Sequence, residues 1–228
     1  MKKIKNPLIR RIPKELIGDW KKYLVVFLFL VLTIGFVSGM YVANESMITS
    51  ANEGVTKYKQ EDGHFELKKQ ADATLLSAIE TGEKADFKAT KTKLYENFFR
   101  NEEEDYNNDG KKDGTIRVFA KTKDINLACM LQGSFPQKAD EIAIDRMHAD
   151  NVGIKVGDTV TVSGETYKVV GLLAYVNYST LHEKTTDLMF DALKFDVAMV
   201  TQDGFDRLHK SIHYTYAWKY ETEPADEA

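Results

Sequence analysis

Cysteine is nearly absent from this sequence. Cys129 stands alone, so no disulfide can form within the chain and stability has to come from packing. In Leu127-Ala-Cys-Met-Leu131 the thiol reads as a small buried hydrophobe. Histidine is sparse as well. The five histidines are scattered, and only His209 and His213 are spaced to share a helix face as metal ligands. Ser211-Ile-His213 reads instead as the start of a strand, and no cysteine or carboxylate stands at a matching spacing. The sequence has no Gly-x-Ser-x-Gly elbow, no phosphate-binding glycine loop and no Cys/His nucleophile pattern, so it carries no enzymatic signal. Paired carboxylates discriminate nothing in a chain with 35 acidic residues. Internal repeats, low-complexity tracts and a second long apolar run are missing too.

One apolar run is present, residues 23–43, and it holds no charged residue. Its length suits a membrane-spanning helix, since about 20 helical residues cross the hydrocarbon core. A secretory signal has a shorter apolar stretch, about 7–15 residues, with a shorter polar lead and a small-residue cleavage site. A soluble helix buried on every face would need a larger protein around it. Residues 1–22 carry eight Lys or Arg against Glu15 and Asp19, a balance of +6. With a whole-chain charge of −4 and none in the run, residues 44–228 carry −10. The positive-inside rule therefore places the basic segment in the cytoplasm and the acidic bulk outside the cell. That acidic balance also argues against nucleic acid as a partner, because phosphate recognition requires a basic surface.

Hydrophobic residues at 43% and charged residues at 29% are enough to fold a domain with a core and a solvated surface. Along the chain, five regions are expected. Residues 1–22 form a cytoplasmic basic amphipathic segment, with Leu8, Ile9, Ile12, Leu16, Ile17 and Trp20 at helical spacing, suited to the inner membrane surface. Residues 23–43 span the lipid bilayer. Residues 44–62 continue as a helical stalk, with Met47, Ala51, Val55 and Tyr58 on one face, until Asp62-Gly63 stops it. Residues 63–220 form an extracellular α+β core domain, and 221–228 an acidic tail. Within the domain, helices are expected at 71–81, 123–131, 146–151 and 204–210. Strands are expected at 87–99, 116–120, 141–145, 159–162, 167–173, 197–201 and 214–220, with a hairpin at Ser163-Gly164. The alternating aromatics Tyr214, Tyr216, Trp218 and Tyr220 read as a strand packed on the core rather than as a ligand platform.

The most specific local pattern is Asp105-Tyr-Asn107-Asn-Asp109-Gly110-Lys-Lys-Asp113. Asp105, Asn107, Asp109 and Asp113 place oxygens at positions 1, 3, 5 and 9 of a Ca²⁺-type loop with glycine at 6. Position 12 is Ile116, where the closing bidentate Glu would stand. The other reading is an acidic turn between two strands. Glu102, Glu103 and Glu104 either supply missing ligands or solvate that turn. In the span, Gly35 and Gly39 form a Gly-x-x-x-Gly pair, a spacing that lets a second membrane helix approach closely.

The sequence resembles the start of FtsX-like (MacB-type) ABC transporter permeases. Asn6-Pro-Leu-Ile-Arg-Arg-Ile-Pro-Lys-Glu-Leu-Ile-Gly-Asp-Trp-Lys-Lys22 looks like that family's cytoplasmic helix before its first span, which leads directly into an extracellular domain. Asp140-Glu-Ile-Ala-Ile-Asp145, Asn151-Val-Gly-Ile-Lys-Val-Gly-Asp-Thr-Val160 and Tyr167-Lys-Val-Val-Gly-Leu172 are similar to the strand, helix, hairpin succession of its core ectodomain. The resemblance implies a non-catalytic permease subunit whose ectodomain relays force or gates a substrate while a cytoplasmic ABC ATPase partner hydrolyses ATP. It also implies further transmembrane helices or a second permease copy. Such permeases have three more spans after the ectodomain, so the resemblance makes residues 1–228 a fragment or a truncated frame. The alternative is a single-pass anchored binding or sensor module using the 105–113 loop for Ca²⁺.

Overall fold

The computed structural model describes residues 17–81, 92–178, 180–184 and 186–221. The chain divides into two units, Met1–Asn52 and Glu53–Ala228. Most of the amphipathic segment expected at 1–22 and most of the tail at 221–228 lie outside the described residues.

Helix α1, Trp20–Thr56, has 37 residues. At about 1.5 Å per residue it is roughly 55 Å long, against about 30 Å for a bilayer's hydrocarbon core. Among the described residues it is the one helix long and apolar enough to cross a membrane. Its large apolar residues from Leu24 to Val42 are exposed all round, as a lipid-facing helix requires. Thr33 returns its hydroxyl proton to the Phe29 carbonyl at 2.8 Å, so that hydroxyl needs no water inside the apolar stretch. The stalk is shorter than expected. Lys59 adopts a left-handed conformation (φ 49) that breaks the helical path, and the Gln60 N–H donates to the Gly54 carbonyl. Asp62-Gly63 is no helix stop: Gly63 opens a strand.

In the second unit the order is β1 (Gly63–Leu67), α2 (Ala73–Thr81), β2 (Thr92–Glu96), β3 (Phe99–Asp105), β4 (Gly114–Ala120) and β5 (Cys129–Gly133). There follow β6 (Glu141–Asp145), α3 (Arg146–Val152), β7 (Thr159–Val162), β8 (Glu165–Ala174), β9 (Phe195–Val200), α4 (Gln202–Asp206) and β10 (Tyr214–Tyr220). This is the α+β domain read from the sequence. One sheet runs β5-β8-β6-β9-β4-β3-β7, and β7 also pairs β8, so the ladder closes on itself. Closure covers the edges of β8, β6, β9, β4, β3 and β7, while β5 pairs only β8. The long β8 makes it possible: Glu165 to Lys168 pair β7, and Lys168 to Leu173 pair β6. A second sheet has the order β1-β10-β2.

Strand alternation sorts the side chains into two cores. On one face lie Ile116, Val118, Ile142, Ile144, Val160, Val162, Val169, Ala198 and Val200, sealed by Phe205 and Leu208. On the other, Phe119, Ala143, Leu173, Phe195, Val197 and Met199 pack with Tyr175 and Leu181. Local signals set the connections. The Asp145 carboxylate accepts from Met147 N–H at 2.7 Å and starts α3, and Gly153 at φ 84 ends it. Ser163 (φ 47) and Gly164 (φ 87) make the two-residue turn with both φ values positive that matches strand twist.

Several expectations need correction. The segment 123–131 is not a helix. Asn126 and Leu127 donate their N–H groups to the Lys59 and Tyr58 carbonyls, and Cys129 begins β5. Cys129 is half-buried and accepts a hydrogen bond from the Tyr58 hydroxyl at 2.9 Å, so it is not a sealed hydrophobe. The strand expected at 87–99 is two strands, β2 and β3, with residues 87–91 outside the described ones. The helix at 204–210 sits earlier, because Thr201 caps it by accepting from Gly204 N–H at 3.1 Å. The aromatic strand is the centre of its sheet, where Tyr216 is fully buried, stacked on Phe65 at 5.7 Å.

Candidate functional site

The loop between β3 and β4 gathers the four oxygen-bearing residues read from the sequence. Asp105 closes β3, Asn107 and Asp109 lie on the turn, and Asp113 precedes β4. Their oxygens are occupied by the loop's own donors. Asp105 accepts from the N–H groups of Asp109 (3.1 Å) and Gly110 (2.8 Å), and Asp109 accepts from Lys111 N–H at 2.9 Å. Asn107 reaches Asp113 through its side-chain amide at 3.3 Å, and its own oxygen takes the Asp109 N–H at 2.9 Å. Asn108 (φ 57) and Gly110 (φ 84) supply the left-handed turn conformations. Ile116, where a closing ligand would stand, is fully buried in β4. Asp105→Ala is therefore expected to cost about 2 kcal/mol, the usual scale for hydrogen bonds to a charged acceptor. Thermal unfolding of the full chain in detergent checks it, and a loss below about 0.5 kcal/mol would show that the carboxylate does not organise the loop.

The three glutamates before this loop do not share a fate. In β3 alternate residues face the same way, so Glu102 and Glu104 turn inward while Glu103 is exposed. Glu102 sits opposite Ile116, on the face of the first core, yet both its oxygens are used. One accepts from the Lys210 N–H at 2.9 Å and the other from the Ser163 hydroxyl, bolting the hairpin turn to β3. Glu104, opposite Gly114, has no such donors: neither oxygen has a hydrogen-bond partner in the protein. The nearest polar group is His148 on α3, whose Nε2 lies 3.4 Å from Glu104 Oε1. Asp196 on β9 completes the group, and ligand atoms of all three lie within 4.8 Å of one another, every residue fully buried. Burial opposes charge on His148, but the Asp196 and Glu104 carboxylates outweigh it and push its pKa up to about 9. Burial lifts the Asp196 carboxyl well above the usual carboxylate range.

Of these three only Glu104 was raised from the sequence, as one of three glutamates that could supply ligands to the 105–113 loop or solvate it; His148 and Asp196 were not. Asp196 was legible as a lone carboxylate inside the apolar run Phe195-Asp-Val-Ala-Met-Val200. Glu104 was hidden by its two acidic neighbours, and His148 by the exposed polar residues of a short helix.

A separate cleft of about 510 Å³ lies beside β1, with Arg117 in its wall. The Arg117 guanidinium donates to the Asn101 side chain at 3.0 Å and the Tyr178 hydroxyl at 3.0 Å, and stacks over Phe99. At its mouth, the hydrogen bond from His64 Nδ1 to Glu61 at 2.7 Å holds the imidazole above its ordinary value. A raised folded-state pKa stabilises the fold fully below the unfolded value, about 6.5, and that contribution fades as pH rises through the folded value. Glu61→Gln should return the His64 titration toward about 6.5, read from its ring-proton NMR shifts. An unchanged titration would mean that Glu61 is not the cause.

In α1, Gly35 and Gly39 are exposed, and a Cβ added at either would meet nothing within 4 Å. The close-approach surface expected from their spacing is thus open.

The described residues define a class, a helix long and apolar enough to cross a membrane followed by a mixed α+β domain. No family model matches the sequence, and no curated protein matches it. Among solved structures, the chain is similar to the extracellular domain of the noncanonic ABC-type transporter YknZ from Gram-positive bacteria. That match has 13% identity and a TM-score of 0.37, over 70% of this chain and 84% of the other. It is also similar to the periplasmic region of MacB from Actinobacillus actinomycetemcomitans, at 8% identity and a TM-score of 0.38, over 64% of this chain and 66% of the other.

Proposed function

We propose that this chain is the first span and extracellular core domain of a permease subunit of an FtsX-like (MacB-type) ABC transporter. In this reading it is not an enzyme. A cytoplasmic ATPase partner supplies the hydrolysis, and the ectodomain passes on the resulting movement for substrate export or mechanical signalling outside the cell. The observation that carries the reading is the unbroken course of α1. A tether needs only the roughly 20 residues that cross a bilayer, whereas α1 continues as helix through polar residues to Thr56. The strand, helix and hairpin that carry the sequence resemblance form β6, α3 and β7–β8 in direct succession.

Orientation is tested first. In a Cys129→Ser background, Lys112→Cys should react with an impermeant maleimide on intact cells, and Lys3→Cys only after permeabilisation. The reverse pattern would sink the topology. The transport role is tested by the DNA downstream and by affinity purification of the full chain. About three further apolar runs in frame and a co-purifying ABC ATPase are expected, and finding neither would leave the permease reading without support. A calcium-dependent sensor would use the lone pairs that the 105–113 carboxylates keep beside the N–H groups they accept. Calorimetric titration with millimolar calcium distinguishes the two, heat uptake or release at the loop favouring the sensor.

A further inference from the structure

The structure assigns a divalent metal site, best suited to zinc, to Glu104, His148 and Asp196, at the end of the first core. Three chain segments meet there: the end of β3, the first turns of α3 and the start of β9. Each brings one ligand type that a borderline-soft dication accepts, one imidazole nitrogen and two carboxylate oxygens.

The hydrogen bonding around the group points the same way. His148 Nδ1 lies 2.7 Å from the Ala192 carbonyl, which can only accept, so Nδ1 carries the proton and Nε2 faces Glu104 and Asp196. Metal-ligating histidines use this same arrangement, donating the second ring N–H to a carbonyl or carboxylate that fixes the ring. On Asp196, Oδ1 accepts from the N–H groups of Val197 (2.7 Å) and Asp145 (3.2 Å), which leaves Oδ2 without a partner. His148 Nε2 and both Glu104 oxygens lack hydrogen-bond partners as well. Four polar atoms without a hydrogen bond thus belong to three fully buried side chains that converge, and two of them, His148 Nε2 and Glu104 Oε1, face each other at 3.4 Å. Glu102, two residues away on the same face, satisfies both its oxygens with protein donors, so the fold is able to do so where it needs to.

Distance and charge agree. Bonds of about 2.0–2.2 Å in a tetrahedron set neighbouring ligand atoms about 3.3–3.6 Å apart. The His148 Nε2 to Glu104 Oε1 separation, 3.4 Å, lies in that range, and the ligand atoms of all three residues fall within 4.8 Å of one another. Two carboxylates and a neutral imidazole balance a dication, which offsets the cost of burying two acids side by side. With three protein residues, the fourth position of a tetrahedron would be filled by the second Glu104 oxygen or by one water molecule, and full burial of all three residues suits an ion that joins β3, α3 and β9.

The test uses the full chain in detergent, purified on a tag without histidines, stripped with a chelator and reloaded with zinc or with manganese. Mass spectrometry of the bound metal should find one equivalent per chain, and zinc should raise the thermal midpoint of the stripped protein. Glu104→Gln and Asp196→Asn keep the side-chain volumes and should weaken zinc binding by at least the roughly 10- to 100-fold that loss of a supporting partner costs. They should also abolish the thermal shift. Glu103→Gln, one residue from Glu104 but exposed, should bind as the wild type does. Failure of the stripped wild type to take up either metal would overturn the assignment, as would unchanged uptake by both Glu104→Gln and Asp196→Asn.

Discussion

Gly133→Ala is expected to lower the stability of the domain by about 3–5 kcal/mol, at the upper end for a single methyl group. Gly133 ends β5 at φ 78, a conformation that costs an L-residue about 1–2 kcal/mol. The larger part is steric. An added Cβ would lie 2.2 Å from the Val170 carbonyl oxygen and 2.9 Å from the Gly171 Cα. Both are backbone atoms of β8 and cannot swing aside as a side chain would, so relief requires β5 to leave its pairing with β8. For a domain of this size the loss corresponds to a fall in thermal midpoint of about 10 °C. Gly153→Ala is the control. It has a similar φ of 84 but open space around the Cβ, so only the conformational cost of about 1 kcal/mol applies. Equal losses for the two variants would mean that the approach of β5 to β8 is not rigid.

Replacing both Val31 and Leu32 by Arg should move most of the chain out of the membrane fraction. Leu, Ile, Phe and Val each favour insertion by about 0.3–0.6 kcal/mol, and an arginine at the helix centre costs about 2.5–3.5, so two of them offset most of the preference of the run. Both positions lie on α1, exposed at 49% and 70%, so neither substitution disturbs a protein core. Alkaline extraction of membranes followed by blotting reads the result. Met47→Arg with Ile48→Arg, beyond the apolar run on the same helix, should leave the chain in the membrane pellet. If that pair is also extracted, the spanning segment lies further along α1 than residues 23–43.

The sequence carried the parts of the fold that depend on neighbours along the chain. The span in α1 follows from an uninterrupted apolar run. Asp145 and Gly153 bound α3 through hydrogen bonds within a few residues, and Ser163-Gly164 makes its turn from local backbone preferences. The 105–113 loop was read as either a calcium loop or a turn between strands, and it does join β3 to β4. Where a distant segment supplied the partner, the local reading failed. Residues 123–131 have helical composition, but the N–H groups of Asn126 and Leu127 go to the Lys59 and Tyr58 carbonyls, and Cys129 begins β5, so no helix forms.

By itself, then, the sequence determined that one helix of this chain is suited to lipid, that a mixed α+β domain follows it, and where several turns and caps fall, because hydropathy and local backbone preference act over a few residues. Only the tertiary structure decided that β7 closes the sheet onto β8, that Glu102 and Glu104 turn inward, and that Glu104 meets His148 and Asp196. Strand pairing and burial are set by contacts between segments far apart in the chain, and a charged residue reads as a surface residue until the partners that enclose it are known.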